Sequence, residues 1–331
     1  MASLRLSVLD LAPVGPGVNP TDALRSSVDL ARATEAWGFT RYWFAEHHNM
    51  PTIFSSSPAV LTGYIAANTE RIRVGAGGVM LPNHAPLVIA EQFGTLATIY
   101  PGRIDLGLGR APGTTPETVL ALRRDLANAE NFPSDLDELQ RYFGDPHPAQ
   151  RVRAVPGAGT HVPIYILGSS MFGAQLAAAK GLPYAFASHF SPPELVRAVT
   201  HYRQGFQPSK QLGAPYVIAG MNVFAADSDE AGGALFEKSL LAMARSLGRM
   251  VPGIADLDDA ELMASPLAQQ ARAMLVHTAT GTPARVREQT LAFAEHAMAD
   301  ELIIATNAAD PAERMRSYAL LAEAFRAELA A

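Results

Sequence analysis

Residues 71–109, "RIRVGAGGVMLPNHAPLVIAEQFGTLATIYPGRIDLGLG", carry the pattern that decides the fold. The apolar run "RIRVGAGGVML" (71–81) predicts a strand, and the segment from roughly Pro86 to Tyr100 has the length and spacing of a helix. A second apolar run, "GRIDLGLG" (102–109), predicts the next strand. This order is that of a parallel strand–helix–strand unit.

The same order repeats along the whole chain. Further strands are predicted at "LRLSVLD" (4–10), "FTRYWFA" (39–45), "VPIYILG" (162–168), "LPYAFAS" (182–188), "PYVIAGMNVFAA" (215–226) and "DELIIAT" (300–306), with helical patterns between them. Eight such units predict one α/β domain over residues 1–331, a (β/α)8 TIM barrel with parallel strands. A doubly wound sheet also alternates in this way and stays open as an alternative.

Helix ends are marked by short polar signals. Asn19 before a proline predicts the start of the first helix, and Gly38 predicts its end. Asp310 before Pro311 predicts the start of the last long helix. Asp227 predicts a cap of the same kind after the seventh strand.

Two segments exceed the minimal repeat, about 125–160 after strand four and about 248–283 after strand seven. Insertions that follow barrel strands fall at the C-terminal face, where active-site loops are built. We interpret them as walls or lids of a site. The alternative is solvated decoration far from the chemistry.

Composition and charge exclude several kinds of site and argue against several kinds of binding partner. The chain has 331 residues, a net charge of −6, no cysteine and a mean hydropathy of +0.07. The negative charge gives no general reason to bind nucleic acid or an anionic membrane. The lack of cysteine excludes disulfides, thiolate zinc sites and cysteine nucleophiles. With no secretory signal pattern and no apolar run of roughly 18 residues, we expect a soluble cytoplasmic protein.

A carboxylate and two histidines, Glu46, His47 and His48, follow the second strand. Because side chains alternate along an extended chain, the two histidines point to opposite faces and are not expected to chelate one metal. The sequence also lacks an H-E-x-x-H pattern. We therefore expect no metal site here, and His48 is expected to support the strand from the other side.

The turn after the fifth strand, Gly168-Ser169-Ser170, leads directly into a helical pattern. Backbone N–H groups and hydroxyls at a helix start favour an anion, and Arg110 after the fourth strand adds a guanidinium. Ordinary N-capping by one of the serines explains the same residues without a ligand.

Adjacent glycines interrupt the third strand at Gly77-Gly78. Glycine weakens a buried strand, so this pair indicates a bulge, unusual torsions or a flat group lying against the backbone. A kink required by packing is the alternative. Three other polar residues near strand ends, His189, Asn222 and Asn307, are expected on the substrate side or as ordinary residues of the barrel rim.

These segments together resemble the bacterial luciferase-like family of flavin-dependent monooxygenases. The resemblance covers nearly the whole chain and is carried by "WGFTRYWFAEHHN" (37–49), residues 69–110, "PIYILGSS" (163–170) and "TGTPARVREQTLAFAEHAMADELIIAT" (280–306). It is stronger to the oxidoreductase branch than to the light-emitting subunits. The family implies a (β/α)8 barrel with a flavin, FMN or a deazaflavin, at the C-terminal mouth.

The resemblance also implies roles for individual residues. His47 corresponds to the histidine beside the flavin ring, preceded by Glu46, and Gly77-Gly78 to a cis peptide bulge beneath that ring. The positions expected near the cofactor phosphate are Arg110, Gly168, Ser169 and Ser170. The light-emitting subunit has an acidic residue in place of Gly168 and a cysteine in place of Gly109, so light emission is not expected.

The hypothesis for function follows from this resemblance. Reduced FMN reacts with dioxygen to a flavin 4a-hydroperoxide, which oxidises a small apolar organic substrate, and His47 moves a proton near neutral pH. NAD(P)H reacts transiently, or a separate flavin reductase supplies the reduced flavin. The family implies a homodimer. A deazaflavin-dependent hydride-transfer enzyme and a flavin-binding protein without turnover are the alternatives.

Overall fold

A computed structural model describes residues 4–15, 17–111, 115–249, 251 and 253–330. Within these residues the strands are β1 (Arg5–Asp10), β2 (Arg41–Phe44), β3 (Arg73–Met80), β4 (Ile104–Gly109), β5 (Ile164–Gly168), β6 (Tyr184–Phe186), β7 (Val217–Ala225), β8 (Thr278–Gly281) and β9 (Glu301–Ala305). The helices are α1 (Pro20–Trp37), α2 (Pro58–Ala66), α3 (Pro86–Ile99), α4 (Pro116–Ala121), α5 (Phe132–Phe143), α6 (Met171–Lys180), α7 (Leu195–Gly205), α8 (Asp229–Gly248), α9 (Asp259–Met263), α10 (Pro266–Met274), α11 (Pro283–His296), α12 (Pro311–Ala324) and α13 (Arg326–Leu329). Three-residue to six-residue 3-10 turns lie at Leu81–Asn83, Leu126–Asn131 and Ile254–Asp256.

The strands form a closed parallel barrel. β1 to β7 pair in sequence order, and β9 pairs with both β7 and β1, which closes the ring. The predicted (β/α)8 barrel is thereby confirmed and an open doubly wound sheet is excluded. None of the described helices is both long and apolar enough to cross a membrane.

A ninth strand, β8, lies inside the segment 248–283 and was not predicted. The long strand β7 pairs with β6 through its first residues, Val217 to Ala219, and with β8 through its last, Asn222 to Ala225. β8 therefore continues the sheet where the short β6 has ended. Its sequence, "TATG", is too short to show a strand period.

The two long segments contribute differently to the fold. The segment 125–160 contains α5, which packs on α3 and whose Asp137 pairs with Lys180 of α6, so α5 is the outer helix of the fourth unit. In 248–283, apart from residues 250 and 252, which lie outside the described residues, α9 and α10 pack against α8. This contact has its own apolar core of Leu240, Ala244, Leu262, Ala268, Ala271 and Leu275.

Most of the predicted helix ends are confirmed. Asn19 Oδ1 accepts a hydrogen bond from the backbone N–H of Thr21 at 2.8 Å, and Asp310 Oδ1 accepts from the start of α12. Gly38 ends α1 with φ of 92°, a left-handed conformation that favours glycine. The cap predicted at Asp227 is wrong, because the hydroxyl of Ser228 caps α8 instead.

A buried charged cluster fills the N-terminal end of the barrel. The guanidinium of Arg41 donates to both oxygens of Glu301 at 2.7 and 2.9 Å and to Asp105 Oδ2 at 2.8 Å. Arg73 also pairs with Asp105, at 2.5 Å, so two cations face two carboxylates. Because Arg41, Asp105 and Glu301 belong to β2, β4 and β9, these bonds tie together strands on opposite sides of the ring.

An apolar layer lies directly above this cluster. It consists of Leu9, Trp43, Ala45, Tyr165, Ala185, Ile218 and Ile303, all pointing into the barrel. The indole Nε1 of Trp43 donates to Asp105 Oδ2 at 3.1 Å, which fixes the orientation of the ring. The charged cluster thus orients the apolar layer that lies between it and the mouth of the barrel.

Replacing Arg41 tests whether this cluster holds the barrel together. Arg41→Met would leave the buried carboxylates of Asp105 and Glu301 with too little positive charge, and we expect the free energy of unfolding to fall by about 3 kcal/mol or more. Urea denaturation at pH 7 measures the change. Arg41→Lys keeps the charge but not the fork that spans two carboxylates, so an intermediate loss is expected. A loss below about 1 kcal/mol for Arg41→Met would contradict the assignment.

Candidate active site

The loops that follow β2 and β3 meet around the carboxylate of Glu46, which is fully buried. His48 Nε2 donates to Oε1 at 2.8 Å, and His84 Nε2 donates to Oε1 and Oε2 at 2.8 and 3.0 Å. Asn83 Nδ2 also faces Oε1, at 3.4 Å. A carboxylate only accepts, so both histidines carry their proton on Nε2. His84 was missed from the sequence, because nothing local links it to residue 46.

Glu46 also forms hydrogen bonds with the backbone of β3 within the break and just after it. Its N–H donates to the carbonyl of Gly78 at 3.2 Å, and its Oε2 accepts from the N–H of Met80 at 3.0 Å. The register between β3 and β4 shifts between Ala76 and Val79, so the ladder is interrupted there. Glu46 thus supports this part of β3 from its buried side, and its predicted contact with the cofactor stays a prediction.

Gly77 and Gly78 form the bulge that was predicted, with a cis peptide bond between them. Both residues are buried, and the structure gives each a packing reason for being glycine. A Cβ on Gly77 would lie 2.8 Å from Trp43 Cε3, and one on Gly78 would lie 2.8 Å from the carbonyl oxygen of Gly107. The backbone there approaches its neighbours more closely than any side chain allows.

The hydrogen bonds to Glu46 change its acidity. Burial by itself raises the pKa of this carboxyl, but the hydrogen bonds from His48, His84 and the Met80 N–H outweigh burial and lower it to about 2. Glu46 is therefore ionised at neutral pH. Among the described residues, no group of three or more histidines and carboxylates is arranged to hold a metal ion.

His47 lines a cavity at the mouth of the barrel, next to Met50, Ile53 and Phe54. Its backbone N–H donates to the carbonyl of Ser55 at 3.0 Å, which fixes the loop. The two adjacent histidines thus serve different environments, as predicted from the alternation of side chains. His47 faces the cavity and His48 supports the buried carboxylate.

His189 lies close enough to His47 for their charges to interact. Burial, together with the charge of His47, lowers the pKa of His189 to about 4, so its imidazole is neutral at pH 7. Its ring is held over Gly220 of β7, where a Cβ would overlap with Nδ1, and Asn222 Nδ2 donates to its carbonyl at 2.6 Å. His189 and Asn222 were predicted from the sequence as residues near the substrate or the rim. Only the structure shows that Gly220 leaves room for the ring of His189.

The tautomer of His189 follows from the same surroundings. Its Nδ1 is buried and has no hydrogen-bond partner among the described residues. A buried N–H without an acceptor is costly, so the proton of the neutral ring belongs on Nε2. Asn307, also named from the sequence, lies two residues beyond β9 and is half-buried.

A second group of polar residues lies after β4 and β5. The guanidinium of Arg110 stacks on the ring of Phe172, with Cζ 4.2 Å from the ring centroid, and this places it over the start of α6. Ser170 is the N-cap residue of α6, but its hydroxyl makes no capping hydrogen bond within the described part of the chain. The alternative that Ser170 serves only as an N-cap therefore has no support. Gly168, at the end of β5, has open space where a Cβ would be.

These residues fit an anionic group. The guanidinium of Arg110, two serines and the N-terminus of α6 lie next to one another along this part of the rim. Arg110 and Ser170 are exposed and Ser169 is half-buried, so the donors are accessible. The cavity beside His47 lies on the other side of β3 from them.

The family model for luciferase-like monooxygenases matches residues 4–301. The chain belongs to the luciferase-like monooxygenase family. A luciferase-like monooxygenase of Escherichia coli (strain K12) is 45% identical to it over 96% of each chain. The N-acetyl-S-alkylcysteine monooxygenase of Bacillus subtilis (strain 168) is 31% identical over 97% of this chain and 98% of the relative.

Several solved structures share the fold of this chain. The crystal structure of apo-MsnO8 matches with a TM-score of 0.87 and 34% identity, over 97% of this chain and 98% of the other. Two further solved structures share the fold at 18% and 14% identity. They are a type II Baeyer-Villiger monooxygenase in complex with FMN (TM-score 0.69, 97% of both chains) and an F420-dependent secondary alcohol dehydrogenase (TM-score 0.65, 96% of this chain and 97% of the other).

Substituting Glu46 tests whether its carboxylate acts as a clamp, that is, whether its hydrogen bonds hold the loops after β2 and β3 in place. Glu46→Gln keeps the shape but replaces an ionised acceptor of several N–H groups, and we expect a loss of about 3 kcal/mol in the free energy of unfolding at pH 7. The pKa of the carboxyl is about 2 when folded and near its ordinary value when unfolded. The stabilisation is thus complete above roughly pH 4.5 and disappears as the pH falls through about 2.

Denaturation curves of the wild type and Glu46→Gln between pH 7 and pH 2 measure this difference. The two curves should converge in acid because the wild-type carboxyl becomes protonated. A gap that stays constant over the whole range would show that the carboxylate charge has no part in the clamp.

Gly220→Ala tests the position of His189. The added methyl group occupies the space of Nδ1, so the imidazole must move out of its buried site, and its pKa should rise from about 4 towards its ordinary value near 6.5. NMR titration of the histidine ring protons measures the shift. Gly213→Ala, at an exposed glycine with open space around its Cβ position, is the control and should leave the titration unchanged. An unchanged His189 titration in Gly220→Ala would refute the assignment.

Proposed function

We propose that this protein is a flavin-dependent monooxygenase that uses reduced FMN and dioxygen to oxidise a small organic substrate. The observation that carries the proposal is the order of groups along the barrel rim. Anion-binding donors follow β4 and β5, the Gly77-Gly78 bulge lies in β3, and the cavity lined by His47 follows β2. A long ligand with an anionic end and a flat reactive end fits this sequence of environments.

Arg110, Ser169 and Ser170 would hold the phosphate of FMN, with the N-terminus of α6. The flat backbone at Gly77-Gly78 would lie along the flavin ring, since no side chain projects there. When bound, reduced flavin supplies the electrons with which dioxygen is activated. The clamp by Glu46 keeps this backbone in one position before the cofactor arrives.

His47 would exchange a proton with the substrate or the reacting oxygen, because its imidazole faces the cavity. His189 assists in a different way. Since it is neutral at pH 7, it does not add a positive charge beside His47, and its Nε2–H is a donor without charge. One histidine can then accept a proton while its neighbour stays neutral.

The comparisons support flavin chemistry at the level of the family. Relatives of 45% and 31% identity carry monooxygenase names, and one distant structure of the same fold contains FMN. The F420-dependent dehydrogenase keeps deazaflavin hydride transfer as the second candidate. Reduced flavin would come from a separate reductase or from transient reaction with NAD(P)H, and we propose a homodimer by analogy with the family.

An anaerobic titration with oxidised FMN, reduced FMN and deazaflavin tests the proposal. We expect reduced FMN to bind most tightly, and Arg110→Ala to weaken it about tenfold or more through loss of a charged contact to phosphate. Arg326→Ala is the control, because α13 lies at the opposite end of the barrel, where Leu329 packs on Gly38. Binding of deazaflavin alone would move the protein to hydride transfer, and no binding of either would overturn the proposal.

His47→Ala separates catalysis from binding in the same assay. We expect the affinity for FMN to be retained and substrate oxidation to fall by about 10²- to 10⁴-fold, the contribution of a positioned acid or base. Substrate oxidation by the variant at the wild-type rate would exclude His47 from the proton transfer.

A further inference from the structure

The cavity beside His47 has a volume of about 460 Å³, which is within the range of pockets that bind small molecules. It is bounded by the loop after β2, by Leu24 of α1 and by Arg249 at the end of α8. Met50, Ile53 and Phe54 supply an apolar wall, and all three are half-buried. The cavity therefore combines an apolar surface with a proton-transfer group at one side.

Arg249 is the only permanently charged residue among the described residues that line this cavity. Its Nη1 donates to the carbonyl of Asn49 at 3.2 Å, and no carboxylate in the described part of the chain lies within ion-pair distance of it. The remaining N–H groups of the guanidinium are left for a ligand. A cation at the C-terminus of α8 also complements the helix dipole, which explains the residue type but not its place in the cavity wall.

Asn49 joins three parts of the mouth and thereby positions Arg249. Its backbone has φ of 55°, a left-handed conformation that asparagine tolerates. Its carbonyl accepts from Arg249, and its Nδ2 donates to Thr118 of α4 at 3.3 Å. The guanidinium is therefore held at the cavity edge by a contact between residues 200 positions apart in the chain.

The position of Arg249 separates it from the expected phosphate site of the flavin. The phosphate donors lie after β4 and β5, whereas the cavity lies after β1 and β2, with the bulge of β3 between them. One FMN molecule whose phosphate meets Arg110 would direct its ring, not its phosphate, towards His47. An anion at Arg249 would therefore belong to a second ligand.

We propose that this cavity binds the substrate and that the substrate is a small organic carboxylate with an apolar chain. The carboxylate pairs with the guanidinium of Arg249, whose planar fork matches two carboxylate oxygens. The chain packs on Leu24, Met50, Ile53 and Phe54, which places it beside His47. This assignment rests on the proposed function, since it names the class of compound that the monooxygenase oxidises.

Calorimetric titration with matched ligands tests the proposal on the full-length protein, with and without bound FMN. The probes are the straight-chain carboxylates of four, six and eight carbons and the primary amides of the same lengths. We expect at least one carboxylate to bind about tenfold or more tighter than its amide, because only the carboxylate makes charged hydrogen bonds to Arg249. Titration without FMN keeps the result independent of whether flavin binds.

Variants show which residues cause the preference for carboxylates over amides. Arg249→Gln should remove the preference for the carboxylate while leaving the affinity for FMN unchanged, and Arg249→Lys should retain part of it. Met50→Ala should weaken the carboxylate and the amide by the same factor, since it removes only apolar contact. Arg326→Gln, at the other end of the barrel, is the matched loss of one positive charge and should behave as the wild type.

Three outcomes would overturn the proposal. They are equal binding of carboxylates and amides, a preference that survives in Arg249→Gln, and no binding of any probe at millimolar concentration. A loss of FMN affinity in Arg249→Gln would instead assign the guanidinium to the cofactor. If FMN fails to bind but the carboxylate preference is present and depends on Arg249, the site stands and the flavin proposal falls.

Discussion

The burial of Arg41 between Asp105 and Glu301 is the constraint on which the rest of the structure depends. Two carboxylates inside a barrel require a cation at hydrogen-bond distance, since an uncompensated charge there costs several kcal/mol, roughly 3–5. Meeting that requirement joins β2, β4 and β9 and orients Trp43, whose indole donates to Asp105. Trp43 in turn lies against Gly77, so the position of the bulge at the mouth follows from charge pairing at the opposite end.

Glu46 is the counterpart of Arg41 at the mouth, with the opposite charge. Its carboxylate accepts hydrogen bonds from the loops after β2 and β3 and from the N–H of Met80 at the end of β3. Hydrogen bonds thus support the surface proposed to meet the flavin, and support of this kind preorganises a binding site. Burial has the opposite result at His189, because desolvation together with the like charge of His47 lowers its pKa and keeps the imidazole neutral.

Features that depend on residues close together in the chain were predictable from the sequence. The alternation of strands and helices indicated the barrel, and polar residues before helical patterns located the starts of α1 and α12. Gly77-Gly78 indicated a bulge, and the alternation of side chains separated His47 from His48. Asp227 shows the limit of this approach, because Ser228 beside it is an equally good cap and only the path of the chain chose between them.

By itself, then, the sequence determined the class of fold, most of the few helix ends that it marked and the candidate residues at the strand ends, since each depends on neighbours within a few positions. Only the tertiary structure decided that Glu46 supports the bulge from below, that His84 joins it, that Gly220 makes room for His189, and that Arg249 reaches the cavity. Each of these relations links residues far apart in the chain. They arise from side-chain packing and charge pairing across the barrel, to which no local periodicity of the sequence corresponds.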